Sequence, residues 1–163
     1  MGLPHRRVIC IDSDGGILMG LGVLATIGNV NPPNLTVLIF DNEAYGTTGG
    51  QPTATAGPVN LVGMAREAGI RHAHLVRTPD EFLAAYLSAE HADGSTFIVA
   101  KVDVETRDTE SDGYILGDGR ENVYRFVRYV ERTEGKKILR TLKPGRFEVE
   151  LAERLSFGGS RES

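Results

Sequence analysis

The chain has 163 residues, which is enough for one domain with its own hydrophobic core. Apolar residues make up 40% of it and charged residues 25%, the balance of a globular protein, so a disordered chain is excluded. The net charge of −4 comes without a basic stripe, and nucleic-acid binding therefore has no electrostatic support.

An apolar run at residues 7–12 predicts the first strand. The run is continuous rather than alternating, which is typical of a buried parallel strand. Cys10 within it is expected to be a buried, unreactive thiol, and one cysteine cannot form a disulfide framework. Asp12 and Asp14 interrupt any signal-peptide core, so we expect a cytoplasmic protein.

Residues 12–16 break the strand and provide side chains that can cap a helix. The apolar side chains of residues 17–27 then predict a helical segment that is buried on most sides, although its glycines weaken it. The weakly polar stretch at 15–28 is too short to span a membrane. A second buried strand, the clearest in the chain, is predicted at residues 35–40.

Strands and helices alternate in the next part of the chain. A long loop at 41–57 is followed by a predicted helix at 59–68, a strand at 72–76, a helix from Thr78 and a strand at 96–102. Four side chains are expected on one face of the helix from Thr78: Phe82, Leu83, Tyr86 and Leu87. The alternation predicts a three-layer α/β fold, with a mostly parallel sheet and helices on both faces.

The composition changes after residue 103. Residues 105–112 are acidic and predict an exposed connection, the Gly-Asp-Gly at 117–119 predicts a turn, and residues 121–134 predict an amphipathic helix. The tail at 157–163 is expected to be disordered. We therefore predict a domain at 1–104, and at 105–163 a polar connection, a helix and a flexible tail that pack on the same domain.

Two polar turns follow the first two predicted strands. Asp14 comes after the first strand, and Asn42 comes after the second. If these strands are neighbours in a parallel sheet, both turns lie at its carboxyl edge, where open α/β sheets bind ligands. A carboxylate, an amide oxygen and a backbone carbonyl suit Mg²⁺, and Gly15 and Gly16 leave room for a diphosphate beside a helix N-terminus.

Residues 7–53 resemble the diphosphate-binding (PP) domain of thiamine diphosphate enzymes. The signature of that family is Gly-Asp-Gly followed, somewhat under thirty residues later, by Asn-Asn or Asp-Asn. Residues 41–51, Asp-Asn-Glu-Ala-Tyr-Gly-Thr-Thr-Gly-Gly-Gln, are similar to the corresponding stretch of sulfopyruvate and phosphonopyruvate decarboxylases. The resemblance continues through residues 97–102 and the helix at 121–131, so it implies the family's fold for most of the chain.

The resemblance implies a set of site residues. The metal ligands would be the side chains of Asp14 and Asn42 and the backbone carbonyl of Ala44. The cofactor would be bound by Ser13, Asp14, Gly15, Gly16, Asn42, Tyr45, Gly46 and Thr47. Ser13 replaces the first glycine of the signature. Family members also have a strand and a helix before this turn that bend the cofactor, so either another chain supplies them or the reading frame is truncated or misassigned.

The resemblance also implies the function. The chain would be the subunit of a 2-oxo acid decarboxylase that binds thiamine diphosphate and Mg²⁺, with 3-sulfopyruvate as the leading substrate and 3-phosphonopyruvate next. The activating glutamate would come from a separate pyrimidine-binding (alpha-type) subunit in a hetero-oligomer. No catalytic residue is expected in this chain, and Glu43 and Glu67 are expected to be structural or exposed to solvent.

Two other interpretations remain open at this point. The stretch at 20–25 matches the Gly-x-Gly-x-x-Ala fingerprint of a Rossmann-type nucleotide-binding protein, with Asp41 at the end of the second strand. Its glycines, however, lie beyond the strand-to-helix turn where the fingerprint needs them. The third interpretation is a PP-like subunit that has a structural role and no catalytic activity. The four scattered histidines predict no metal site.

Overall fold

The computed structural model describes residues 3–103 and 119–139. The chain divides into two compact units, Met1–Thr109 and Glu110–Ser163. The predicted connection at 105–112, the first two residues of the turn at 117–119 and the predicted tail at 157–163 all lie outside the described residues. The packing of the second unit on the first stays a prediction.

The first unit is built on a parallel sheet of four strands in the order β1-β2-β6-β5. These strands are β1 (Val8–Ser13), β2 (Leu35–Asp41), β5 (His72–Val76) and β6 (Thr96–Lys101). A separate antiparallel pair is formed by β3 (Ala44–Tyr45) and β4 (Gln51–Pro52). All four predicted sheet strands are confirmed, and the predicted loop at 41–57 contains the short pair. Because β1 and β2 are neighbours, the turns that follow them lie at the same edge of the sheet.

Helices cover both faces of this sheet, as predicted. The helices of the first unit are α1 (Asp14–Met19), α2 (Val23–Val30), α3 (Leu61–Glu67) and α4 (Pro79–Ser88), with short 3-10 helices at Gly46–Thr48, Ala54–Ala56 and Ala89–His91. One core joins α1, α2 and α3 to the sheet around Phe97 and Ile39, which are fully buried. A second core on the opposite face joins α4 to Leu38 and Ile98.

The prediction that the first strand is buried is wrong. Every residue of β1 is exposed, Ile11 at 68%, and Cys10 is exposed as well rather than buried. The reason is strand order: β1 pairs with β2 on one side only, and among the described residues no strand pairs with its other side. The helices cover the inner strands of the sheet. The apolar residues of β1 are therefore not buried within the first unit.

The predicted helical segment at 17–27 is two helices, because the chain turns between Gly20, which caps α1, and Gly22, which precedes α2. Met19 at this junction is 81% exposed, contrary to the prediction of burial on most sides, whereas Ile17 and Leu24 are buried. The two glycines of the Rossmann fingerprint therefore lie between two helices. The turn that leaves β1 contains neither of them, which argues against that fingerprint.

Helix α4 begins with the capping box that its sequence predicts. The hydroxyl of Thr78 accepts a bond from the backbone N–H of Glu81, and Glu81 accepts one from that of Thr78. Phe82 and Tyr86 pack on the sheet, but Leu83 and Leu87 are exposed, so only half of the predicted apolar face is buried.

The described part of the second unit is one helix, α5 (Gly119–Glu134), and the few residues after it. It confirms the amphipathic helix predicted at 121–134. Glu131 accepts bonds from the backbone N–H groups of Ile138 and Leu139, which turns the following chain back along the helix. None of the helices in 3–103 and 119–139 combines the length and apolarity that a bilayer span requires.

Candidate functional site

Asp14 lies at the point where β1 becomes α1. Ser13 is the N-cap of this helix, and its hydroxyl accepts a bond of 3.0 Å from the backbone N–H of Gly16. Asp12 accepts a bond of 2.8 Å from the backbone N–H of Ser13. These bonds fix the tight turn that places Asp14 in the first turn of the helix, where the Asp14 residue is 0% exposed.

The two oxygens of the Asp14 carboxylate have different surroundings. Oδ2 accepts a bond of 2.5 Å from the hydroxyl of Thr53, and the hydroxyl of Thr55 lies 3.1 Å from the same oxygen. Oδ1 is buried and has no hydrogen-bond partner within the described part of the chain. Leaving a buried carboxylate oxygen unpaired is costly, so this oxygen is available to bind a cation.

The turn after β2 brings Asn42 and Ala44 to the same edge of the sheet. The side-chain oxygen of Asn42 accepts a bond of 3.1 Å from the backbone N–H of Ala44. Glu43 between them has a φ of 61°, a left-handed conformation that reverses the chain within one residue. In the register of β3 with β4, Ala44 lies opposite Pro52, next to the pair in which the backbone N–H of Thr53 donates to the carbonyl of Glu43.

The ring of Tyr45 joins the two turns. A Cβ atom on Gly15 would lie 2.6 Å from this ring, and one on Gly16 would lie 2.1 Å from the Asp12 carboxylate. A side chain at Gly15 or Gly16 would therefore have to displace the Tyr45 ring or the Asp12 carboxylate. The sequence predicts that these two glycines leave space for a diphosphate. In the structure the Tyr45 ring and the Asp12 carboxylate lie close to where their Cβ atoms would be. Diphosphate contact with the backbone at Gly15 and Gly16 stays a prediction.

The remaining predicted site residues lie in the exposed part of the same turn. Gly46 and Thr47 form the 3-10 helix that follows β3, and both are exposed. Gly50 in the next turn donates its N–H to the carbonyl of Tyr45 at 2.9 Å. The fold thus brings Ser13, Asp14, Asn42 and Ala44 to one edge of the sheet, with Gly46 and Thr47 at its rim.

A buried ion pair adjoins this site. Asp41 at the end of β2 is 2% exposed, and its Oδ2 lies 2.9 Å from the Nζ of Lys101 at the end of β6. The same Nζ lies 2.5 Å from Glu43 Oε1. Burial alone would lower the pKa of Lys101, but the bonds to Glu43 and Asp41 outweigh it and raise that pKa, so the lysine is charged.

Sequence reasoning did not identify Thr53, Thr55, Asp41 and Lys101 as parts of the site. Thr55 links the two aspartates, because its hydroxyl lies 2.8 Å from Asp41 Oδ1 as well as near Asp14. Two features of the sequence could have indicated these residues. Thr53 and Thr55 are spaced two apart, and Lys101 ends a largely apolar strand.

The oxygen donors at this edge of the sheet suit a metal ion that is also coordinated by phosphate oxygens and water. The described residues contain no group of three or more His, Cys, Asp or Glu side chains that could hold a metal ion. One carboxylate oxygen, one amide oxygen and one carbonyl are hard donors that leave an octahedral Mg²⁺ dependent on phosphate oxygens and water. The residues present therefore fit a metal–diphosphate group better than a bare metal ion.

Residues 1–100 match the model of the thiamine pyrophosphate enzyme C-terminal TPP binding domain. With a parallel sheet whose carboxyl edge carries oxygen donors, the chain belongs to this family of cofactor-binding domains. It is 41% identical over 95 residues to sulfopyruvate decarboxylase subunit beta of Methanocaldococcus jannaschii, covering 58% of this chain and 50% of that one.

Two further relatives agree with this. The beta subunit of sulfopyruvate decarboxylase from Methanothermobacter thermautotrophicus is 34% identical over 126 residues, which is 77% of this chain and 63% of that one. Phosphonopyruvate decarboxylase of Streptomyces viridochromogenes is 39% identical over 93 residues, 57% of this chain and 23% of that one. The chain thus spans half of the Methanocaldococcus subunit and less than half of the Streptomyces enzyme.

Solved structures show the same fold. A thiamine diphosphate-dependent 4-hydroxybenzoylformate decarboxylase from Rhodococcus jostii superposes with a TM-score of 0.52 at 24% identity, over 64% of this chain and 21% of that one. A 2-oxoglutarate:ferredoxin oxidoreductase from Magnetococcus marinus superposes with a TM-score of 0.52 at 18% identity, over 99% of this chain and 67% of that one. At these identities the likeness establishes the three-layer α/β fold alone.

Proposed function

We propose that the chain is the subunit of a 2-oxo acid decarboxylase that binds thiamine diphosphate and Mg²⁺. The observation that carries the proposal is the buried, unpartnered Oδ1 of Asp14, at the sheet edge that also holds Asn42. The names of the relatives support 3-sulfopyruvate as the first candidate substrate and 3-phosphonopyruvate as the second.

In this proposal the chain binds and orients the cofactor. Asp14, Asn42 and the carbonyl of Ala44 hold the metal, and the metal neutralises the diphosphate bound along Ser13–Gly16 and the turn from Tyr45 to Thr47. When bound, thiamine diphosphate supplies an electron sink for the loss of CO₂ from a 2-oxo acid. The contribution of this chain to the rate is therefore positioning and charge neutralisation.

The activating carboxylate is proposed to come from a separate subunit with a pyrimidine-binding domain. Glu43 is engaged with Lys101, and Glu67 is an exposed residue at the end of α3, so neither is suited to act on the cofactor. The word "beta" in the names of two relatives supports a hetero-oligomeric assembly.

Thermal stability tests the cofactor assignment. The full chain is heated with thiamine diphosphate plus Mg²⁺, with each alone, and with NAD, both in isolation and mixed with a pyrimidine-domain subunit. A ligand that binds only the native state at about 100 times its Kd adds about 2.7 kcal/mol of stability. No shift with thiamine diphosphate in either setting contradicts the proposal, and a shift with NAD would favour the nucleotide-binding alternative.

Release of CO₂ tests the reaction. The mixture of the two subunits is assayed with 3-sulfopyruvate and with 3-phosphonopyruvate, and we expect the aldehyde and CO₂ from one of them. Cofactor binding without CO₂ release from either substrate would favour the PP-like subunit with a structural role.

A further inference from the structure

Thr53 and Thr55 are buried although they lie in a loop rich in glycine, threonine and proline. They are 4% and 5% exposed. The backbone N–H of Thr53 donates to the carbonyl of Glu43 at 2.9 Å, which ties this loop to the turn after β2. The short 3-10 helix at Ala54–Ala56 then holds Thr55 beside the two aspartates.

The two hydroxyls converge on one oxygen of Asp14. Thr53 is 2.5 Å and Thr55 is 3.1 Å from Oδ2, while Oδ1 has no partner among the described residues. The contact from Thr53 is the shorter of the two, so Thr53 is the nearer donor to Oδ2. Oδ2 is thus occupied, and the carboxylate offers a cation a single oxygen.

We propose that Thr53 and Thr55 are positioning residues that reserve Oδ1 of Asp14 for the metal and thereby select Mg²⁺ over Ca²⁺. The inference rests on the proposed function. Mg²⁺ requires near-ideal octahedral geometry and short bonds, which suits a carboxylate held to one oxygen. Ca²⁺ accepts more ligands and binds carboxylates through one oxygen or through both, and the hydroxyl on Oδ2 opposes the second of these modes.

The two threonines do not contribute equally. The hydroxyl of Thr55 has one proton and three acceptors within reach, at 2.8 Å on Thr53, 2.8 Å on Asp41 and 3.1 Å on Asp14. Thr53 contacts Asp14 at the shorter distance, so it is the main donor to Oδ2. Thr55 instead links Asp14 to Asp41, whose other oxygen is held by Lys101.

Matched substitutions test this. Thr53→Val removes the hydroxyl and keeps the shape of the side chain, whereas Thr53→Ser keeps the hydroxyl. Thr96→Val is the control, because Thr96 is also buried but its hydroxyl has no partner within the described residues. For each full-length variant, isothermal titration calorimetry measures the Kd of Mg²⁺ and of Ca²⁺ with saturating thiamine diphosphate. The titration uses the isolated chain or its mixture with the pyrimidine-domain subunit, depending on which of the two binds the cofactor when the sequence is unaltered.

We expect Thr53→Val to weaken Mg²⁺ binding about tenfold or more, the usual size of an effect from a group that orients a metal ligand. Ca²⁺ binding should weaken less, so the preference for Mg²⁺ falls. Thr53→Ser should restore the preference, and Thr96→Val should leave it unchanged. A general loss of structure would not produce this pattern, because it would weaken both ions alike.

An unchanged ratio of the two Kd values in Thr53→Val overturns the inference and leaves the proposed function intact. No Mg²⁺-dependent binding by the unaltered chain overturns both. If Thr53→Val does not fold, Thr55→Val decides the matter: a smaller loss of Mg²⁺ preference supports the inference, and an unchanged preference refutes it.

Discussion

Lys101 and Asp41 face each other across the carboxyl ends of β6 and β2, with the lysine Nζ 2.9 Å from the carboxylate. The aspartate is almost fully buried and the lysine side chain is 24% exposed. A pair of this kind contributes less through its own attraction than through the cost of leaving one charge buried alone. The stability of the sheet edge that carries the site therefore depends more on this lysine than on any exposed ion pair.

Replacing Lys101 by methionine tests this dependence. Lys101→Met leaves the charge of Asp41 buried without its cation, and we expect a loss of about 2–4 kcal/mol in the free energy of unfolding. The control is Glu43→Gln, which removes the more exposed partner of the same lysine and should cost about 1 kcal/mol or less. Urea denaturation measures both, and equal losses would contradict the assigned roles.

Asp14→Asn should separate cofactor binding from folding. The substitution keeps the shape of the side chain and removes the charge that would hold the metal, so the thermal shift caused by thiamine diphosphate plus Mg²⁺ should disappear. Without ligands the protein should unfold at the same temperature or higher, because a neutral amide costs less to bury than a carboxylate. Differential scanning calorimetry measures both effects.

Asp12→Asn is the control for that experiment, since Asp12 lies in the same turn, is exposed and accepts a bond from the backbone N–H of Ser13. The ligand-induced shift should persist in this variant. Retention of the shift in Asp14→Asn would refute the metal assignment.

Gly28 is a position where an added methyl group should destabilise a helix. Within a helix, alanine is normally favoured over glycine by about 1 kcal/mol. Here a Cβ atom would lie 1.7 Å from the carbonyl oxygen of Ala68, and a backbone atom cannot move aside cheaply. We expect Gly28→Ala to cost about 2–3 kcal/mol, the upper part of the usual range for overpacking.

Gly22→Ala is the matched substitution. Gly22 has a φ of −59°, and a Cβ atom there would meet nothing within 4 Å. Alanine should therefore raise stability by about 0.4–1 kcal/mol, because it restricts the unfolded chain. Chemical denaturation of the two variants checks the opposite signs, and a gain of stability in Gly28→Ala would be inconsistent with the close approach of α2 to Ala68.

His74 should make stability depend on pH below neutrality. Its partial burial, with smaller contributions from His72 and Arg66, lowers the pKa of this histidine in the folded protein. The unfolded chain therefore binds a proton more readily, and stability falls as the pH drops through about 6.5. His74→Gln should reduce this fall when thermal unfolding is compared between about pH 8 and about pH 5.5, on either side of that value. The same pH dependence in the variant would show that another group is responsible.

Much of the fold could be predicted from local signals. Continuous apolar runs identify the four sheet strands, and Thr78-Pro-Asp-Glu marks the start of α4 because its capping side chains act over three residues. The sequence also places Asp14 and Asn42 directly after two predicted strands, but it predicts a shared sheet edge for them only on the condition that these strands are neighbours. These features depend on contacts between residues close in sequence, or on the pattern of apolar residues along a strand.

The remaining features depend on the order of the strands and on distant contacts. An apolar run does not state whether its strand lies inside a sheet or at its edge, so the exposure of β1 could not be inferred. Thr53 and Thr55 look like ordinary loop residues, and only the fold-back of the loop onto Asp14 brings them into the site. Lys101 likewise meets Asp41 through a pairing of strands distant in sequence.

The exposure of β1 has a consequence for handling the protein. Within residues 3–103 and 119–139 no strand pairs with the outer side of β1, and such a strand edge can template pairing with another molecule. The run from Val8 to Ile11 has no charge or proline to prevent it. Concentrated samples of the isolated chain should therefore aggregate with time, as light scattering would detect. Ile11→Lys places a charge on this strand and should lengthen the shelf life of the preparation.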